Sequence, residues 1–311
     1  GGRIAHAPDE VAGHRRRLDM RRGVLTSDCR PIQGRGLEGR LQTFRLVSLS
    51  DRALGLQMVR LEIEAGEGEV TIEAAFDGVE LGLAPLRLEP GLGVWRTQRS
   101  GKLLAMGAAG ALQLDGHEMA PTRRDPLAWS WTWRSHAGQV VEFQRLVAVV
   151  RGGAGEADPA DAALATLEAA QQRGHRQVMR DHEQAWAERW RLSDLQIGGD
   201  PAAVTSLRFA LYHLNSAANP LDDRVSIGAR ALTGDDYMGH VFWDTEIFLL
   251  PFYSLTWPEA ARALLTYRHR TLGSARDKAR RMGWRGALYA WESADTGDEA
   301  TPTQVVGPDR K

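Results

Sequence analysis

A single cysteine, Cys29, stands in 311 residues, which excludes an intrachain disulfide framework and any cysteine-rich metal centre. A reducing, cytoplasmic setting is the expectation that follows. Neither sign of charge is in excess: 39 Lys plus Arg meet 40 Asp plus Glu, for a formal net charge of −1. No global basic field therefore exists to gather nucleic acid or an anionic membrane. Long apolar runs are missing too. The longest, residues 247–255, has about nine residues and contains Pro251, against about twenty for a membrane-spanning helix. The N-terminus shows neither an initiator Met nor the charged-then-apolar pattern of a signal peptide, and it reads as a cut end. Phe (7) and Tyr (5) are scarce beside ten Trp, and surplus indole goes to cores, interfaces and flat apolar ligands such as sugar rings.

What is present reads as a globular chain of two domains, at roughly 100–200 residues per domain. Between about Leu18 and Val150 the apolar residues alternate with polar ones. In residues 59–65 and again in residues 70–76 Val, Leu, Ile and Ala alternate with charges, and Gly66-Glu67-Gly68 between them suggests a hairpin with one wet face. Trp129, Trp131 and Trp133 alternate with Ser130, Thr132 and Arg134, so three indoles share one strand face. Residues 141–147 follow as the next strand after a turn at Gly138. Many such strands joined by Gly-rich turns predict an antiparallel sandwich. Gly34-Arg35-Gly36 and Gly91-Leu92-Gly93 are sheet turns, with no Walker lysine to make either a phosphate loop.

The period changes after Arg151-Gly152-Gly153-Ala154-Gly155. Asp158 is placed to cap a helix with Pro159 in its first turn, and Ala163, Leu164, Leu167 and Ala170 recur at helical spacing before Gly174. This charged helix is expected to serve as a linker. Three further helical windows span residues 204–217, 243–255 and 258–282, the last opening at Pro258 and closing before Gly283. The expected organisation is a sandwich over 1–150 whose start is missing, a helical linker over 151–199 and a helical domain over 200–311. With room for only about three or four helices of ~11–15 residues, that last domain reads as unfinished, and residues 305–311 show no closing element.

Two stretches concentrate chemistry. Gly239-His240-Val241-Phe242-Trp243-Asp244-Thr245-Glu246 follows a glycine turn and leads into a helical window, so Asp244 either caps backbone N–H groups or points at a ligand hydroxyl. His240 and Glu246 stand six apart, not at the i, i+4 spacing of a helical zinc site, and no metal is expected. The second stretch, Tyr289 to Pro302, combines Trp291 with Glu292, Asp295, Asp298 and Glu299 and with aliphatic hydroxyls, the composition of a sugar pocket or of a solvated acidic loop. Ser293 would need His213, His240 or His269 to approach in space to act as a nucleophile. His182, on a helix with Trp186, reads as structural.

These residues, together with Leu232-Thr233-Gly234, Leu250-Pro251-Phe252, Tyr267-Arg268 and the upstream Leu18-Asp19-Met20-Arg21-Arg22-Gly23 and Phe44-Arg45-Leu46-Val47-Ser48-Leu49, resemble glycoside hydrolase family 65. That family includes maltose, trehalose and kojibiose phosphorylases and some trehalose hydrolases. The resemblance implies an antiparallel β-sandwich (super-sandwich), a helical linker and the first part of an (α/α)6 barrel. It implies an inverting disaccharide phosphorylase that cleaves an α-glucosidic bond with inorganic phosphate to give β-glucose 1-phosphate. The alternatives are an α,α-trehalose hydrolase on the same scaffold and a non-catalytic carbohydrate-binding fragment. Trp243 and Asp244 match positions expected to hold the glucosyl unit, and Glu292 and Asp295 match a second substrate-pocket motif whose residues either touch sugar or brace the barrel loops. The general acid and the phosphate site are expected beyond Lys311, so the stretch by itself is expected to be inactive. The implied partners are a disaccharide and phosphate, with no other cofactor, and a homodimer to which the three-indole face could contribute.

Overall fold

The structure, a computed structural model, describes residues 11–31, 36–76, 82–98, 100–152, 158–234 and 236–302. The expectations for the N-terminus, for Gly34 and Arg35, for Gly153, Ala154 and Gly155 and for residues 305–311 lie outside these. The chain divides into two compact units, Gly1–Ala187 and Glu188–Lys311.

The first unit holds β1 (Val11–Asp19), β2 (Val24–Pro31), β3 (Glu38–Val47), β4 (Leu54–Ala65), β5 (Glu67–Ala75), β6 (Leu83–Glu89), β7 (Leu92–Thr97), β8 (Leu103–Leu114), β9 (His117–Met119), β10 (Arg123–Asp125), β11 (Ala128–His136) and β12 (Val140–Gly152). Helices α1 (Pro159–Arg173) and α2 (His175–Ser193) follow. A large antiparallel sheet runs in the order β1-β2-β3-β4-β12-β8-β7-β6, with β9 on β8, and a small one in the order β10-β11-β5. Between them Leu61, Ile63, Leu112, Val141 and Phe143 of the large sheet meet Val70, Ala74, Trp129, Trp131 and Trp133 of the small one. The alternation read from the sequence thus buries one face of β5 and of β11. The three indoles are core residues, buried between the sheets rather than presented to a second copy of the chain.

One expectation is corrected here. The segments 59–65 and 70–76 do not pair as a hairpin; β4 lies between β3 and β12, whereas β5 pairs with β11 in the other sheet. The single residue between them, Gly66, turns the chain from one sheet to the other with φ +82°. A Cβ there would fall 1.8 Å from the Gly36 carbonyl oxygen, so only glycine fits the corner. Strand alternation alone cannot tell a hairpin from a corner, because both bury every second residue.

The other face of the large sheet is partly covered by α1. Asp158 caps it by accepting from the Ala160 N–H at 2.9 Å, and Ala160, Ala163, Leu167 and Ala170 pack on Leu46, Leu56, Leu146 and Ala148. Leu164 is exposed. Small residues let the helix come close: a Cβ on Gly107 would lie 2.6 Å from Leu167 Cδ1. His182 of α2 is the structural residue expected. Its Nδ1 accepts from the Leu49 N–H at 3.1 Å and its Nε2 faces the Gly23 carbonyl at 3.2 Å, a geometry that suits the neutral ring. Burial pushes its pKa down.

The second unit takes the end of α2 and adds α3 (Pro201–Ala217), β13 (Val241–Phe242), α4 (Leu250–Thr256), α5 (Pro258–Arg270), α6 (Leu272–Arg281) and β14 (Glu292–Ser293). Arg189 ties it together: Nε donates to Asn215 Oδ1 at 3.0 Å and the guanidinium lies 4.1 Å from the centre of the Trp257 ring. The window 243–255 is found as one helical run, in which a π-helical turn, Thr245–Leu249, passes into α4 with helical backbone at Leu249 and Leu250 and with Pro251, which has no N–H to donate, in the turn that follows. The window 258–282 is corrected. Residues 258–282 are two helices that break at Thr271, whose hydroxyl donates to the Tyr267 carbonyl at 3.1 Å. Such back-bonding bends helices, and Gly297 packs so closely on Thr271 that a Cβ there would meet it at 2.4 Å.

Candidate functional site

The two chemistry-rich stretches, some fifty positions apart, are paired. In the ladder of β13 and β14, Val241 faces Ser293 and Phe242 faces Glu292. This two-residue ladder is too short to stand alone, and side chains lock it. His240 Nδ1 and Glu292 Oε1 are 2.7 Å apart, and Trp243 Nε1 donates to the Ala290 carbonyl at 2.8 Å. The Trp291 ring meets Trp243 edge-on at 5.5 Å and Phe242 at 6.0 Å.

Beneath the ladder, the last turn of α5 supplies Tyr267 and Arg268. The Arg268 guanidinium is buried and donates to the Phe242 carbonyl at 3.0 Å and to Glu246 Oε2 at 2.7 Å. Removing one partner of such a pair would leave a buried charge uncompensated. Tyr267 donates to the Ala294 carbonyl at 2.8 Å, and burial pushes its phenol up. Tyr289 donates to the Arg268 carbonyl at 3.0 Å. Every one of these bonds ties one stretch to α5 or to the other stretch.

On this scaffold Asp244 is exposed at the start of the π-helical turn, and its side chain makes no capping hydrogen bond. Of the two roles open to it in the sequence, capping is therefore not taken up. Trp243 is half-buried and braced, while Trp291 is 49% exposed and offers a flat apolar face beside it. Glu292 is buried on His240, and Asp295 is half-buried and engaged by its neighbours. The structure thus brings Trp243 and Glu292 together through a shared ladder. His240 and Arg268 as partners of Glu292 and Glu246 escaped sequence reasoning. No local spacing signals a contact across 52 or 22 positions. Ser293 is fully buried with its hydroxyl 3.5 Å from that of Tyr267, and among the described residues no histidine is bonded to it. A Ser–His nucleophile is not formed.

Glu299 closes the loop. Burial acts to raise its carboxyl, but hydrogen bonds from Lys278, from the Thr301 hydroxyl and from the Glu292 N–H outweigh it and bring it down to about 2. Such a group gives stability above the ordinary carboxylate range near pH 4.5 and loses it as pH falls toward 2. Lys278→Met is therefore expected to lower unfolding free energy by about 1–2 kcal/mol at neutral pH. The difference should shrink in urea titrations as pH drops below about 4; a pH-independent difference would sever Glu299 from the effect. Among the described residues no group of three His, Cys, Asp or Glu side chains is placed to hold a metal, and no helix is long and apolar enough to cross a membrane.

Comparison with known proteins gives this geometry a context. The profile of the glycosyl hydrolase family 65 N-terminal domain matches residues 1–189, and that of the family's central catalytic domain matches residues 208–309. The chain belongs to glycosyl hydrolase family 65. A kojibiose phosphorylase of Halothermothrix orenii is 32% identical over 316 residues, covering 94% of this chain and 40% of the relative. A kojibiose phosphorylase of Escherichia coli is 42% identical over 171 residues, 54% of this chain and 23% of the relative. A kojibiose hydrolase of Flavobacterium johnsoniae is 41% identical over 133 residues, 43% and 19% respectively. A solved protein from the human microbiome, provisionally named a kojibiose phosphorylase, superposes with a TM-score of 0.82 at 22% identity, covering 93% of this chain and 40% of that one. The fold of this family 65 chain is thus matched along nearly its whole length, while it spans about 40% of the Halothermothrix orenii relative.

Proposed function

We propose that this chain forms part of an inverting α-glucoside phosphorylase acting on a disaccharide, with kojibiose as the first substrate to try. The observation that carries this reading is the β13–β14 ladder, which sets the exposed Asp244 and Trp291 on a rigid scaffold braced by Trp243, Glu292 and Arg268. Asp244 accepts from sugar hydroxyls, Trp243 and Trp291 supply apolar contact, and Glu292 and Asp295 shape the glucosyl pocket. The helices of the second unit are read as the beginning of an (α/α)6 barrel after a sandwich and a helical linker. In the complete enzyme a glutamic acid protonates the glycosidic oxygen while phosphate attacks the anomeric carbon from the opposite face.

That acid is assigned to none of the carboxylates described above. Glu292 is engaged by His240, Glu246 by Arg268, and Glu299, at about 2, stays ionised at neutral pH. The expectation of an acid beyond Lys311 accordingly remains part of the proposal, as do a cytoplasmic homodimer and inorganic phosphate as the sole co-substrate. Hydrolysis, including that of α,α-trehalose, is the second reading, favoured by the likeness to a kojibiose hydrolase; a non-catalytic carbohydrate-binding fragment is the separate alternative. Kojibiose and phosphate given to the enzyme expressed from its complete reading frame should yield glucose and glucose 1-phosphate in equal amounts, the ester as the β anomer by proton NMR. An α anomer would overturn inversion, and glucose release independent of phosphate would replace phosphorolysis by hydrolysis.

A further inference from the structure

The sandwich unit carries a groove of about 860 Å³ on the face of the large sheet that α1 partly covers, lined by strand residues and by the first residues of α2. Register places one polar side chain from each of six adjacent strands in a single row across it. Arg15 stands opposite Asp28, Asp28 opposite Gln42, Gln42 opposite Arg60, Arg60 opposite Glu142 and Glu142 opposite Gln113. The adjoining row on the same face is softer, Arg17 opposite Thr26, Thr26 opposite Phe44 and Phe44 opposite Met58.

Opposite charges across strands usually cancel on such a surface, and in the middle of the groove they do. Asp28 is taken by Arg40 and Gln42, and Arg60 donates to Glu142 at 2.9 Å and to Glu62 at 2.7 Å. Cancellation stops at the β1 end. Arg15, Arg17 and Arg176 all line the groove and are exposed, and among the described residues no ion pair or side-chain hydrogen bond engages their guanidinium groups. Unpaired guanidinium groups around one cavity match a multivalent oxyanion. The distance across the sheet decides what else fits. From β1 to β3 is two strand spacings, about 10 Å, the reach of a phosphoryl group plus one hexose ring. Thr26, Gln42 and Phe44 then lie under the ring, two hydrogen-bonding groups and an apolar floor.

We propose that this groove is a binding site for a hexose phosphate, with Arg15, Arg17 and Arg176 holding the phosphoryl group and Thr26, Gln42 and Phe44 the sugar. The site lies wholly within the sandwich unit and shares no residue with the β13–β14 ladder. Calorimetric titration of the 311-residue chain with glucose 6-phosphate, with inorganic phosphate and with glucose tests it. Glucose 6-phosphate should bind at least about tenfold more tightly than either fragment, weakening as salt is raised. The double substitution Arg15→Ser and Arg17→Ser, on the exposed edge strand, should cost about tenfold or more in that affinity with the melting temperature unchanged. If it disturbs folding, Arg176→Ser reads the same loss from the helix side. No binding of glucose 6-phosphate, equal binding of inorganic phosphate, or an affinity untouched by the arginine substitutions would each overturn the proposal.

Discussion

Asp244→Asn in the complete enzyme is expected to lower kcat/KM by about 2–4 kcal/mol of transition-state stabilisation, roughly 30-fold to 1000-fold. The side chain keeps its size and its exposed place at the start of the π-helical turn, so folding has no reason to change. What is lost is a charged acceptor for a sugar hydroxyl, and such bonds are about twice as strong as neutral ones. The residue supports no helix end, since its carboxylate makes no cap bond. Steady-state rates at several disaccharide concentrations, with a melting curve beside them, check the result. A rate near that of the parent would remove Asp244 from the sugar pocket.

Trp131→Ala should cost the sandwich unit about 3–5 kcal/mol, as expected for truncating a buried aromatic side chain. Trp131 is 1% exposed, packs edge-on against Phe143 at 5.4 Å and donates its indole N–H to the Met119 carbonyl at 3.0 Å. The substitution leaves a large void between two sheets, each held in shape by its own backbone ladders, and it orphans a carbonyl acceptor. Guanidinium unfolding followed by far-ultraviolet dichroism would read the loss in the β transition. A change below about 1 kcal/mol would mean that the sheets collapse onto the space and that the three-indole face is less constrained than its burial implies.

Local elements and their buried faces were legible in the sequence. Alternation in residues 129–133 marked an indole face that is buried, and Asp158-Pro159 and Pro258 opened helices where expected. These signals are short-range: a side-chain period, a cap or a missing N–H acts within a turn or a strand. Resemblance to family 65 likewise rests on contiguous motifs. Which distant pieces meet emerges only from the packed chain. Gly66 reads equally as a hairpin turn or as a corner between sheets, and only the partners of β4 and β5 separate the two. Thr271, where one helical window divides into two helices, lies against Gly297, 26 positions away. The pairings of His240 with Glu292 and of Glu246 with Arg268 join residues with no sequence relation, and they turn two polar stretches into one braced site. The row of polar side chains across six strands is invisible in the chain for the same reason: strand register is fixed by packing of whole sheets, and its consequences appear only when the strands lie side by side.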